Sequence, residues 1–210
     1  MKVLIINGSP KNNGNTACCA NLFKEWFNEA NIECEIYHLG DKKINHCLAC
    51  GSCFRTKDDR CIQDDDLNDL IQKVKSADAY IFGSPIHYAD CSGLIKNCLD
   101  RLFYVAGANG NYFRHKVGAS YVCVRRSGGI HGLQTLNNYI TYSEMFMATG
   151  SYWNIIHCAM PEEVLKDKEG INTIHALANN MIYLMHTLNK SDVEKPAPLK
   201  RVSMNFIRKD

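Results

Sequence analysis

Short apolar runs alternate along the chain with longer segments whose apolar residues recur at helical spacing. Five runs are typical of strands: Val3–Ile6, Ile32–Leu39, Ala79–Gly83, Lys116–Val124 and Tyr152–His157. Five segments are typical of helices: Ala17–Ala30, Leu67–Val74, Gly93–Tyr104, Leu133–Met147 and Ile171–Leu188. This order predicts an α/β fold with a doubly wound, five-stranded parallel sheet and helices on both faces.

The length and composition predict one domain. A chain of 210 residues with 46% hydrophobic content can close one sizeable core without a second domain. We assign this domain to residues 1–189, with a cysteine-rich insertion at 40–63. Residues 190–210 are polar and contain Pro196 and Pro198, and they turn apolar only at Met204–Ile207. They form either a loose tail or an oligomerisation arm that lies on a neighbouring subunit.

Charge narrows the partners to small molecules. The 24 basic and 22 acidic residues give a net charge of +2, so bulk attraction to nucleic acid or to an anionic membrane is not expected. No apolar run has membrane-spanning length, and the first residues enter a strand without the features of a signal peptide. We therefore expect a cytoplasmic protein, whose eleven cysteines are reduced rather than paired in disulfides.

The loop after the first strand has the features of a phosphate cradle. It lacks the spacing of a Walker loop or of a dinucleotide loop, which indicates a single terminal phosphate. Because a helix follows directly, its unpaired N–H groups and positive dipole end favour an anion there. An ordinary strand-to-helix turn is the alternative. The candidate ligands are Ser9, Lys11, Gly14, Asn15 and Thr16.

Two further loops are expected at the same edge of the sheet, because parallel strands present their carboxyl ends together. The loop after the third strand offers an imidazole and an aromatic edge, and the loop after the fourth offers two guanidinium groups and a glycine pair. Taken alone, a glycine pair is usually a turn, a single histidine is more often structural, and paired arginines usually lie on a solvated face. Together with the cradle they predict a mononucleotide site. The candidates are Pro85, Ile86, His87, Tyr88, Arg125, Arg126, Ser127, Gly128 and Gly129.

These motifs resemble the flavodoxin-like, NAD(P)H-dependent FMN reductases over residues 2–188. The resemblance rests on Gly8–Lys11 with Gly14–Thr16, Gly83–Tyr88, Gly93–Lys96 with Asp100-Arg101, and Gly150–Asn154 with Asp167–Gly170. It implies a flavodoxin-like fold and bound FMN, with the phosphate in the first loop and the ring against the other two. Arg125, Arg126 or backbone N–H groups of the third loop would then stabilise the reduced, anionic ring. The resemblance also implies a homodimer or homotetramer.

A second cluster lies in the insertion, where Cys47, Cys50, Cys53 and Cys61 follow the spacing Cys-x2-Cys-x2-Cys-x7-Cys. Compact cysteine runs of this kind hold iron–sulfur clusters, whereas structural zinc more often uses two separated pairs. The alternative is a set of loop cysteines without a cluster. The pattern resembles the iron–sulfur flavoprotein branch of the same family, which implies that these four cysteines bind a [4Fe–4S] cluster.

Two functions are therefore expected from the sequence. One is an FMN-dependent oxidoreductase that passes electrons from NAD(P)H through FMN to a quinone, an azo or nitro compound, or a flavin. The other is an electron carrier whose [4Fe–4S] cluster exchanges electrons with ferredoxin-like partners. A flavin-binding module without activity is the third and weakest interpretation.

Overall fold

The computed structural model describes residues 1–161 and 163–200. The apolar segment Met204–Ile207 of the predicted tail lies outside these residues. The strands are β1 Lys2–Asn7, β2 Glu33–His38, β3 Ala79–His87, β4 Asp90–Cys91, β5 Val117–Val124, β6 Phe146–Met147 and β7 Ile155–His157. The helices are α1 Asn15–Glu29, α2 Ser52–Thr56, α3 Leu67–Ser76, α4 Gly93–Ala108, α5 Gly129–Tyr142 and α6 Lys168–Lys190. A 3-10 turn at Glu163–Lys166 precedes α6.

The predicted parallel sheet is confirmed, with strand order β2-β1-β3-β5-β6. Strand β7 also pairs directly with β5, nearer its carboxyl end than β6 does. Helices α3, α4 and α5 pack on one face around Leu70, Leu99 and Leu136, and α1 and α6 pack on the other around Phe23 and Met181. The strand order reverses between β1 and β3. In such folds the ligand crevice lies at this reversal, outside the carboxyl ends of the strands.

The edge of the sheet beside β5 is formed by two short strands, β6 and β7, instead of one. The predicted end of the preceding helix and the predicted start of the last strand were therefore wrong. The helix predicted to reach Met147 ends at Tyr142, because the Met145 N–H bonds the Ile140 carbonyl and residues 146–147 join the sheet. The strand predicted from Tyr152 begins only at Ile155. Asn154 fills the gap, since its carbonyl accepts from Val122 N–H at 3.0 Å and its side chain donates to the Ser120 carbonyl at 3.0 Å.

The segment Ser84–Tyr88, predicted as a loop, is strand as far as His87. It returns as a hairpin, with Ile86 opposite Cys91 and His87 opposite Asp90 in antiparallel pairing. Tyr88 makes the turn with φ 59°, in the left-handed region, and its side chain is fully exposed. The hairpin therefore stands above the sheet edge as a rigid wall instead of a loose loop.

Close backbone approach fixes the start of the first loop. The Gly8 N–H donates to the Gly83 carbonyl at 2.8 Å, which extends the β1–β3 pairing by one bond beyond the strand. A Cβ at Gly83 would lie 2.4 Å from the Tyr121 ring, so no larger residue fits there. The Tyr121 hydroxyl in turn donates to the Thr16 carbonyl at 2.7 Å. The first turn of α1 is thus anchored to the centre of the sheet.

Beyond α6, the Pro196 carbonyl accepts a hydrogen bond from Arg114 Nη1 at 2.8 Å, so this part of the predicted tail lies against the segment between α4 and β5. Within the described residues, no helix combines the length and the apolar character needed to cross a bilayer.

Candidate functional site

The first loop is held in shape by its own side chains. The Ser9 N–H donates to Asn7 Oδ1 at 3.1 Å, and Ser9 Oγ accepts from Lys11 N–H and donates to the Lys11 carbonyl, both at 3.1 Å. Gly14 is the N-cap of α1, and no described side chain caps the helix. The first N–H groups of α1 are therefore open to an anion placed over the loop.

Asn15, one of the predicted ligands, is tied to the loop after β7. Its side-chain amide donates to the Met160 carbonyl at 2.8 Å and accepts from Val164 N–H at 3.4 Å. The amide thus ties the start of α1 to the loop after β7. Glu163 closes that loop, because its carboxylate accepts the N–H groups of Met160 and Ala159, which lower its pKa. Asn15 positions the wall of the site, and its side chain is already used by the protein.

The three predicted loops meet at one cavity of about 230 Å³. Its predicted lining residues are Ser9, Lys11, Gly14, Asn15, Thr16, Pro85, Ile86, His87 and Arg125. Pro10 of the first loop also lines the cavity, and the remaining wall, which was not predicted, comes from residues that follow or end β5 and β7: Cys123, Cys158, Ala159 and Pro161. The topology contained the signal for this wall, because the carboxyl ends of β5 and β7 reach the same edge of the sheet.

The third loop serves two cavities. Arg125 lines the first, whereas Arg126, Ser127, Gly128 and Gly129 line a second cavity of about 610 Å³ together with His131, Tyr152, Trp153 and Asp167. Gly128 has φ 91° and lies where a Cβ would approach Ile86 to 3.2 Å. Tyr88 lines neither of these two cavities. The loop is therefore a partition that packs against the β3–β4 hairpin.

A buried, unpartnered amide lies at the root of the first loop. Asn7 is 0% exposed, and its Nδ2 has no hydrogen-bond partner among the described residues, although its Oδ1 accepts from Ser9 N–H. An orphaned buried donor is costly, so such atoms commonly mark a site that a ligand or water completes. Asn7 does not line the cavity, and it is the open end of α1, beside the Lys11 ammonium, that fits a phosphorylated cofactor.

The four cysteines of the insertion form a separate site. Cys47, Cys50, Cys53 and Cys61 line one small cavity beside α4. The chain around them turns tightly, since Ala49, Gly51, Lys57 and Asp59 all have φ between 49° and 67°. Within residues 1–161 and 163–200, no three His, Cys, Asp or Glu side chains are grouped so as to hold one metal ion.

The thiols differ in their surroundings. Hydrogen bonding with Ser52 lowers the pKa of the exposed Cys50, whereas burial raises the pKa of Cys53. Four thiols around one cavity are the donor types that a cubane cluster uses. The residue types thus match an iron–sulfur cluster, although the described side chains are not drawn together as a metal site.

A buried arginine supports this cysteine cavity. The Arg101 side chain is 1% exposed and forms a two-pronged ion pair with Asp65, with N–O distances of 2.5 and 3.0 Å. Its Nη2 also lies 3.2 Å from Cys61 Sγ, and its Nη1 donates to the Asn45 carbonyl at 3.1 Å. Burial alone would raise the pKa of Asp65, but the hydrogen bonds and charge of Arg101 outweigh it and lower the pKa.

Comparison with solved structures identifies the fold class. RosB with a bound riboflavin-phosphate intermediate superposes with a TM-score of 0.71 at 16% identity, covering 98% of this chain and 92% of that one. A flavodoxin from the domain Archaea superposes with a TM-score of 0.55 at 14% identity, covering 90% and 99%. The fold is flavodoxin-like, as predicted.

The chain belongs to the NADPH-dependent FMN reductase family, whose model matches residues 1–159. An iron–sulfur flavoprotein of Archaeoglobus fulgidus is 32% identical over 195 residues, covering 87% of this chain and 94% of that protein. An FMN-dependent NADPH-azoreductase of Staphylococcus aureus is 33% identical over 139 residues, covering 66% of each. The protein is an oxidoreductase that uses FMN.

Asp65 should govern part of the acid stability. Because its pKa is lowered in the folded state, its contribution is present above its ordinary value of about 4 and is lost as pH falls through the lowered pKa. Asp65→Asn, which leaves Arg101 buried and uncompensated, should cost about 3–5 kcal/mol at neutral pH. Urea unfolding across pH should show this difference shrinking in acid.

The matched control is Asp59→Asn, which removes the more exposed pair with Lys75. Its cost should stay within about 1 kcal/mol. A difference between wild type and Asp65→Asn that stays constant from neutral to acid pH would contradict the assignment of the stability to the ionised Asp65 carboxylate.

Proposed function

We propose that the protein passes electrons from NAD(P)H, through FMN held in the 230 Å³ cavity, to a small acceptor such as an azo compound, a quinone, a nitro compound or a flavin. The observation that carries the proposal is the meeting of the first loop, the β3–β4 hairpin and Arg125 around that cavity. The azoreductase relative supports an azo compound as one acceptor.

The residues divide the work between the two ends of the cofactor. The open N–H groups of α1 and the Lys11 ammonium would bind the phosphate, and the Ser9 hydroxyl would join them by turning its proton from the Lys11 carbonyl to the phosphate. Pro85, Ile86 and His87, on the rigid hairpin, would orient the ring, and the Arg125 guanidinium would place a positive charge beside it. Bound FMN supplies the hydride chemistry.

The surroundings of the cavity also favour contact with another subunit. Tyr88 at the hairpin tip is fully exposed, and Tyr152 and Trp153 are 62% and 55% exposed with their rings 4.5 Å apart. Exposed aromatic groups near a site are typical of interaction surfaces. A homodimer or homotetramer would cover them and complete the enclosure of the ring.

The phosphate cradle is tested by comparing FMN with riboflavin, which lacks the phosphate. Ser9→Ala and Lys11→Ala should each weaken FMN binding by about 1.5–3 kcal/mol, because a charge-assisted hydrogen bond is lost. Riboflavin binding should not change. Lys24→Ala, on the exposed side of α1, is the control and should bind both flavins like the wild type. Equal losses for FMN and riboflavin would argue against a phosphate site in this loop.

Turnover is tested with the FMN-loaded protein under anaerobic conditions. NADPH or NADH should bleach the flavin absorption, and an azo dye or quinone added afterwards should restore it. The rates with each nicotinamide and each acceptor define the preferences. If neither nicotinamide reduces the bound flavin, the reductase function is wrong, whatever the affinity for FMN.

A second function is favoured by the cysteine cavity. We propose that Cys47, Cys50, Cys53 and Cys61 bind a [4Fe–4S] cluster and that the protein can exchange single electrons with a ferredoxin-like partner. The four thiols around one cavity support this, and so does the name of the Archaeoglobus relative. The cluster would then be the outlet for electrons that enter at the flavin.

Iron content tests the cluster. After anaerobic reconstitution, the wild type should hold about four irons and four sulfides per chain. Cys50→Ser and Cys61→Ser should lose most of them while keeping FMN. Cys34→Ser is the control and should keep its iron, because Cys34 is a buried cysteine of β2 on the opposite face of the sheet from Cys53 and Cys61. If the reconstituted wild type holds flavin but no iron, the cluster proposal is wrong and only the reductase function remains.

A further inference from the structure

Arg101 is an unexpected residue for its place in the fold. Its helix α4 contributes Cys98, Leu102 and Val105 to the core, and Arg101 lies among these residues with 1% exposure. Burying a guanidinium is costly, and a buried ion pair is often no more stable than apolar residues of the same size. Stability alone therefore gives little reason for an arginine here.

The hydrogen bonds of Arg101 converge on the cysteine segment. The guanidinium joins the carbonyl of Asn45, just before Cys47, to the Cys61 sulfur and the Asp65 carboxylate. Its Nε is buried and has no partner within the described residues. The side chain is thus held by its two terminal nitrogens, which lie toward the cysteines.

We propose that Arg101 is a positioning residue for the iron–sulfur cluster: it holds Cys61 at the cavity and raises the midpoint potential of the cluster. The inference rests on the cluster of the proposed function. An N–H donor 3.2 Å from a ligating sulfur stabilises added negative charge. The reduced cluster carries one more electron than the oxidised cluster, so the donor favours reduction.

The charge of Asp65 predicts in which direction the cluster potential should shift when either partner of the ion pair is replaced. Its carboxylate lies 2.5 Å from the same guanidinium and offsets part of the positive charge. Removing Arg101 leaves a carboxylate near the cluster and should disfavour reduction. Removing the charge of Asp65 leaves an uncompensated cation beside Cys61 and should favour reduction.

The experiment uses the reconstituted full-length protein and anaerobic redox titration followed by EPR. Arg101→Met should move the cluster potential to more negative values, and Asp65→Asn should move it to more positive values. Arg101→Lys keeps the positive charge but lacks the two terminal nitrogens of the guanidinium, and it should shift the cluster potential less than Arg101→Met. Arg101→Met should also lose iron to a chelator about ten- to a hundredfold faster than the wild type. The flavin potential should not change in any variant.

The control is Arg114→Met, which removes a guanidinium paired with Glu144, away from the cysteines, and should leave the cluster potential unchanged. Shifts of the same sign in Arg101→Met and Asp65→Asn would indicate general loosening and overturn the inference, as would no shift. If Arg101→Met does not fold, Arg101→Lys and Asp65→Asn decide the question by their signs. Failure of the wild type to assemble a cluster would instead overturn the proposed cluster itself.

Discussion

The site depends on one constraint, the close pairing of β1 with β3 at the point where the strand order reverses. The pairing continues past the strand through the Gly8 N–H bond to the Gly83 carbonyl, and the Tyr121 ring fills the space that a Cβ on Gly83 would need. Because Tyr121 also bonds the first turn of α1, the loop, the helix start and the hairpin are fixed relative to one another. A cavity lined by three separate loops can then be preformed before any ligand arrives.

Much of this arrangement could be predicted from the sequence. Period and spacing are local signals, and they located β1, β2, β3, β5 and β7 and most residues of the cavity, but not β6. What they did not predict depends on partners distant in sequence. The helix before β6 was predicted too long because Phe146 pairs with β5, and the hydrogen bonds of the Asn15 amide with Met160 and Val164 were not predicted. The pairing of Arg101 with Asp65 and Cys61 likewise spans 36 and 40 residues of sequence.

The cysteine insertion is held to the rest of the fold in part by one buried side chain of a core helix. Its residues lie outside the parallel sheet, in a segment whose turns use left-handed backbone at several positions. Such a segment has little regular secondary structure to stabilise it. Arg101 supplies what the segment lacks, because it reaches from a core helix and holds both ends of the insertion near Asn45 and Cys61. The core of the fold therefore provides an anchor for the insertion.

The divided fifth strand has a consequence for the protein in a crowded solution. Strands β6 and β7 have two and three residues, and Asn154 stands between them with its amide and carbonyl turned inward to β5. A long, continuous edge strand would offer a row of unpaired backbone groups to the sheet of another molecule. Here that row is broken into two pieces that are each too short to serve as a template. The interruption thus protects this side of the sheet from aggregation without a charged or proline residue in either short strand.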